Sequence, residues 1–342
     1  MQIKKTKNDI HSFCVNDFQK IYTTTTKEIM LDNEVIFRSE DGFQEIYCAN
    51  SAAITNTING IGIEIDLLSK EIKTLHDESL RYIDENFKIT FENGKTKIYS
   101  KDNRLTAIKP LRIFKFILHK YTKCFVYYEG SYFDTSNHKI NYSSLLDDKI
   151  FFSFPLASLG TFMDGVEETP YQVMEFSGIY QNILVCTLNS GGILLLDLQS
   201  GQMLEHFREV GIRTGVYQES DGSSRFLGLK HTTFIEIDVV ERKVIRRINL
   251  ESLFKELMNI PNETPCWFTA GTSIYKNGLF YFYGDRNVLV IFDPKSEKII
   301  DHYNFKFEKT ATQLKGGNGN LQVLNNEIYC LDTSGTLHII EK

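Results

Sequence analysis

The residues of this 342-residue chain whose types could do chemistry are six cysteines, eight histidines and two short loops, one glycine-rich and one acidic. Cys14, Cys48, Cys124, Cys186, Cys266 and Cys330 stand singly, with no Cys-x-x-Cys pair and no close Cys/His spacing, so a zinc or dithiol centre has no template. Cys124, Cys186 and Cys330 lie in the apolar runs "CFVYY", "ILVCTL" and "IYCLD", where a thiol serves as a small hydrophobe. Six reduced thiols are expected. No histidine is set beside a serine, cysteine or carboxylate in a nucleophile motif, and His338, within a strand-like run, reads as structural. "KGGNGN" (315–320) lacks the GxxxxGK[ST] spacing of a phosphate cradle and reads as a flexible loop. "MDGVEETP" (163–170) offers Asp164, Glu167 and Glu168 but not the ligand spacing of an EF-hand, and reads as a solvated acidic loop. No metal and no cofactor is expected.

The elements that would position these residues announce themselves as a repeat. "GGILLLDLQSGQMLEHF" (191–207) is an apolar run ending on an aspartate, a polar turn and a second apolar run; the pattern recurs at 60–75, 232–248 and 287–303. An aspartate at the turn start can accept hydrogen bonds from N–H groups two residues on, and Gly201 can take a positive φ. The other copies place Lys70, Arg242 and Glu297 where Gly201 stands, and holding such a residue there costs about 1 kcal/mol. Upstream, "CTLNSGGILLLD" aligns without gaps on "CLDTSGTLHIIE", and a further apolar run precedes each unit, for example "YQVMEF" (171–176). Each repeat is thus four antiparallel strands, a to d, in a period of about 40 to 50 residues.

Strands c that end near Asp66, Asp102, Asp134, Asp197, Asp238, Asp293 and Glu341 count seven units. The expected fold is therefore all-β: a seven-bladed β-propeller of four-stranded blades, 1–342 forming one domain. The chain stops at strand c of the last unit, so residues 1–33 are expected to close the ring, with the pairing strand inside "HSFCVNDFQKIYTTTT" (11–26). The "xhhhhDxxSGxhh" hairpins resemble those of PQQ-like and YVTN-type propellers, loosely related to WD40 repeats. That resemblance implies architecture alone. The Gly-His…Trp-Asp pairs of WD40 blades, the kelch signature and the recurring tryptophan of quinoproteins are missing from the sequence.

Composition narrows function. A formal charge of −6 argues against a sequence-independent grip on nucleic acid. No stretch reaches the length of a membrane span, and the lysine-bearing N-terminus has no apolar run behind it; a cytoplasmic monomer is expected. Long d-to-a connections are where a propeller carries function. One, at 249–266, has helical periodicity through Leu250, Leu253, Phe254, Leu257 and Met258, with Asn249 as N-cap and Pro261 beyond the end. Phe254, Met258 and the single tryptophan, Trp267, are candidates for one protein partner on the loop face, with His231, Asp285 and Arg286 in b-to-c turns on the same side. The expected function is non-catalytic protein binding, with a specific inhibitor or immunity protein against a toxin or effector as its narrow form. The alternative, a metal-dependent lactonase-like hydrolase, needs three or four carboxylate, Asn or His groups converging at the channel mouth.

Overall fold

Three of the c strands are buried at nearly every position instead of alternating, because both of their faces are covered. In Ile193–Asp197, Val288–Asp293 and Leu337–Glu341 every residue before the terminal acid is buried, as sheets packed on both sides require. The d strands, such as Met203–Phe207 and Lys298–Asn304, are only partly covered and carry the charges.

A computed structural model gives the fold. It describes all residues except 17–19, 25–26, 50, 76–78, 83–86, 93, 101–103, 110–112, 114, 120–121, 131–137, 209, 231, 265–271, 286, 308–311 and 318. By internal contacts the chain divides into two units, Met1–Asn93 with Leu253–Lys342, and Gly94–Ser252.

Among the described residues there are eight four-stranded antiparallel sheets, not seven. In chain order they occupy residues 10–38, 47–75, 79–109, 116–155, 173–207, 216–249, 273–304 and 321–341, the last completed by Gln2–Lys7. The blade missed by the sequence count is the first: Ile10–Val15, Lys20–Thr24, Glu28–Leu31 and Glu34–Arg38. Its c-to-d turn is the short Asp32-Asn33 link and its b strand is "KIYTT", so it carries neither the Asp-turn signature nor a long apolar run. The c strand of the fourth blade is Lys139–Ser144 instead of a segment ending at Asp134, which lies outside the described residues.

The strand that completes the last sheet also differs from expectation. Gln2–Lys7 pairs antiparallel with Leu337–Glu341, while residues 10–24 are taken up by the first blade. Within the first unit the a strands of successive blades are neighbours: Ser273–Lys276 beside Leu321–Leu324, Leu321–Leu324 beside Ile10–Val15, and Ile10–Val15 beside Tyr47–Ala49. In the second unit Phe116–His119, Val173–Tyr180 and Val216–Gln218 follow in the same way.

That packing exposes a second departure. Cys14 and Cys48, on the adjacent a strands of the first two blades, form a disulfide with Cα atoms 6.0 Å apart. Cys124, Cys186 and Cys330 are free and buried, and burial raises the pKa of the last two thiols. Cys266 lies outside the described residues.

The turns behave as their chemistry dictates. Asp197 Oδ1 accepts the Gln199 N–H at 2.9 Å, Asp238 Oδ1 those of Val240 and Glu241 at 2.9 and 3.0 Å, and Asp66 Oδ1 those of Leu68 and Ser69 at 2.9 and 2.8 Å. Gly201 has φ +71°, and Lys70, Arg242 and Glu297 hold the same left-handed conformation at +61°, +53° and +58°. The single α-helix among the described residues, Leu250–Met258, is capped by Asn249, whose Oδ1 accepts the Glu251 N–H at 2.9 Å.

Candidate functional site

The connection between the fourth and fifth blades builds a structure of its own. A 3-10 turn, Leu156–Leu159, buries both leucines in the core of the second unit. Gly160, at φ +80°, then redirects the chain into a two-stranded hairpin, Thr161–Asp164 with Glu167–Pro170, which belongs to none of the blades. Gly165 takes φ +67° at the first loop position, as a two-residue hairpin turn requires.

The base of this arm is fixed. Phe162 packs against Tyr171 with ring centroids 5.1 Å apart, and Tyr171 meets the His206 ring edge-on at 5.1 Å. The b-to-c turn of the fifth blade locks the arm's exit, since the Asn189 amide donates to Pro170 O at 3.1 Å while its Oδ1 accepts the Gln172 N–H at 2.9 Å. The tightness extends below it. A Cβ on Gly191 would sit 2.7 Å from Gly211 Cα, so that turn admits glycine alone. Burial lowers the pKa of His206, and Arg208 adds to this, so a neutral ring sits under the arm at neutral pH.

The far end is exposed. Val166 is 92% exposed and Met163 59%, with Glu167 and Glu168 exposed beside them. Met163 pairs across the hairpin with Glu168, so one face of the arm presents a thioether next to a carboxylate. Asp164, on the other face, lies 3.5 Å from the Arg213 guanidinium, both solvent-accessible. A rigid base with an apolar, acidic tip can insert into another surface.

The described residues among those singled out from sequence take places in the framework. Phe254 is 1% exposed, packed on Gly284 as part of the core, and Met258 is half-buried at the helix end. Asp285 closes the b strand Leu279–Asp285, paired with Val288. Trp267, His231 and Arg286 lie outside the described residues. His338 Nε2 is 2.9 Å from Asp332 Oδ2, and Asp332 Oδ1 accepts from the Ser334 and Thr336 N–H groups, a network that pins the last b-to-c turn. Among the described residues no three His, Cys, Asp or Glu side chains group so as to hold a metal ion. The "KGGNGN" loop donates its Gly317 N–H to Thr272 Oγ1 at 2.7 Å.

The arm was legible in one signal, the Asp164-Gly165 dipeptide between "TFM" and "VEET", which is a hairpin turn before it is an acidic cluster.

Comparison with known proteins agrees with this architecture from end to end. BamB from Moraxella catarrhalis superposes with a TM-score of 0.61 at 9% identity, covering 100% of this chain and 99% of that one. The chain has the fold of a β-propeller. The computationally designed Ika8 protein superposes at TM-score 0.62, 10% identity and 99% and 98% coverage. Sqt1 of Saccharomyces cerevisiae matches this propeller at 0.62, 9% identity and 99% and 97% coverage. No family model and no curated protein matches the sequence.

Proposed function

We propose that this propeller is a non-catalytic protein-binding module whose docking element is the 161–170 arm. The observation that carries the reading is the contrast within the arm: an immobilised base and a tip where Val166 is 92% exposed. The hairpin stands outside every blade, which leaves its tip free to meet another surface. The propeller fold is compatible with such a role. Asp164, Glu167 and Glu168 set the partner's chemistry, a protein surface with an apolar pocket rimmed by Lys or Arg, because complementary charge governs encounter and register. The narrower form is a cytoplasmic inhibitor or immunity protein that occupies one target through this arm. The hydrolase alternative draws no support from the described residues.

The test is site-specific photo-crosslinking in the native cell, with the photoreactive residue at Val166 and, as control, at exposed Ile300 on an outer strand. One protein should cross-link from Val166 and not from Ile300, and Met163→Asp with Glu168→Lys should abolish it. An arm variant that captures the same protein as the wild type would remove the arm from the site.

A further inference from the structure

A second feature lies where the N-terminal strand joins the last blade. Lys4, Lys5 and Lys7 of that strand, together with Lys20 of the first blade, line one cleft of about 440 Å³, with Tyr22 beside them. Two carboxylates share it, Asp32 and Glu327, so four ammonium groups against two carboxylates leave two positive charges in excess on a chain whose net charge is −6.

The excess can be located. Glu327 is already engaged: Lys4 Nζ reaches its Oε1 at 2.9 Å, Lys20 Nζ its Oε2 at 2.7 Å, and the Tyr329 hydroxyl also donates to Oε2. Lys7 bonds only neutral acceptors, the Asp32 carbonyl and Asn33 Oδ1 at 3.0 Å, with its ammonium 4.0 Å from the Tyr22 ring centroid. Lys5 lines the cleft with no side-chain hydrogen bond or ion pair among the described residues. Lysines on an edge strand guard against unwanted strand pairing, which accounts for their presence on Gln2–Lys7. It does not account for Lys20 arriving from the neighbouring sheet or for Lys7 folding over Tyr22.

We propose that this cleft binds a small dianion of the phosphate class, held by Lys5 and Lys7. A concave surface with an excess of one sign concentrates its counter-ion, lysine ammonium groups bind phosphate as point charges, and the volume falls in the range of small-molecule sites. Because the cleft exceeds one phosphate, a phosphate monoester fills it better than the free ion.

Equilibrium dialysis at fixed ionic strength tests this on the full chain, with inorganic phosphate, glycerol 3-phosphate and adenosine 5′-monophosphate as probes. One saturable site per chain is expected, tighter for a monoester than for inorganic phosphate. Losing a charged hydrogen-bond partner should weaken it about ten-fold in Lys5→Gln and in Lys7→Gln, while Lys315→Gln leaves it unchanged. Lys5 is exposed and unpaired, so its variant should fold as the wild type does, checked by circular dichroism and Tm. Inorganic phosphate binding as tightly as the monoesters would identify the free ion as the ligand. No saturable binding of any probe, or binding that Lys5→Gln leaves intact, would overturn the proposal.

Discussion

The ring of Phe254 packs so closely on Gly284 that a Cβ there would stand 2.6 Å from Phe254 Cε2 and 2.7 Å from Val290 Cγ2. This one contact explains why the helix at 250–258 is amphipathic: its apolar face is needed to roof the seventh blade. Phe254→Ala should therefore cost about 3 to 5 kcal/mol of stability, and Gly284→Ala about 1 to 3 kcal/mol through overpacking. The two should not add, because a smaller residue at 254 makes room for the methyl group. Denaturant titration of the double-mutant cycle checks the coupling, and additive effects would mean the contact is not the constraint.

The left-handed turn positions give a prediction of opposite sign. Lys70, Arg242 and Glu297 hold positive φ where the equivalent residue of the fifth blade is Gly201. Arg242→Gly and Glu297→Gly should each raise stability by up to about 1 kcal/mol, the relief of backbone strain being partly offset by a more flexible unfolded chain. Gly201→Lys should cost more than that. A Cβ there meets Phe152 Cγ at 2.7 Å, so packing adds to strain. Thermal melts of the three variants would settle the order, and a stabilised Gly201→Lys would contradict it.

These turns also show what the sequence could say and where it stopped. Asp66, Asp197, Asp238 and Asp293 advertised their hairpins because one residue type must supply both the acceptor and the tight return. The first blade has no such residue, only a two-residue link at Asp32-Asn33 and a threonine-bearing strand, so it read as a closing segment. Local propensity also could not tell that Lys20 would face Lys7, or that Cys14 would face Cys48, because those pairings follow from which blades are neighbours. Phe254 illustrates the reverse error. Its helical face was legible, but a buried face and a binding face look alike in one dimension.

The base of the arm should be separable from its tip. Asn189 joins Pro170 to Gln172 through two hydrogen bonds, so Asn189→Ala should loosen the arm and cost about 1 to 3 kcal/mol by leaving backbone groups unpaired. Val166→Ser, at a site that touches nothing, should change stability by less than about 0.5 kcal/mol. Hydrogen exchange across 161–170 should quicken in the first variant alone. Equal protection in both would mean the clamp does not hold the arm.

Glu327 gives the chain an acid-sensitive joint between its N-terminal strand and its last blade. Burial would raise its pKa, but hydrogen bonds from Lys20, Tyr329 and Lys4 outweigh that and hold it at about 2. A folded-state pKa below the unfolded value means the carboxylate's contribution is complete above the ordinary glutamate range near 4.5 and is lost as pH falls towards about 2. Glu327→Gln should therefore lower stability at pH 7 yet flatten its decline between those values. Parallel acid-titration curves for wild type and variant would show that Glu327 is not the group responsible.

The disulfide between Cys14 and Cys48 is the sharpest departure from what separate cysteines in a repeat protein suggest. Cys14 and Cys48 lie on adjacent a strands with Cα atoms 6.0 Å apart, within bridging range. Their sequence separation of 34 residues closes a loop whose constraint on the unfolded chain is worth about 4 kcal/mol in the chain-entropy model. Under denaturing conditions, the thiol count of protein purified without reductant should rise by two when reductant is added and removed. Cys14→Ser, Cys48→Ser and the double variant should then share nearly the same loss of stability, because each breaks the same bond. Reductant should destabilise the wild type and leave the double variant untouched. A thiol count that does not change, or a double variant as stable as the oxidised wild type, would show that the two sulfurs are not joined in solution.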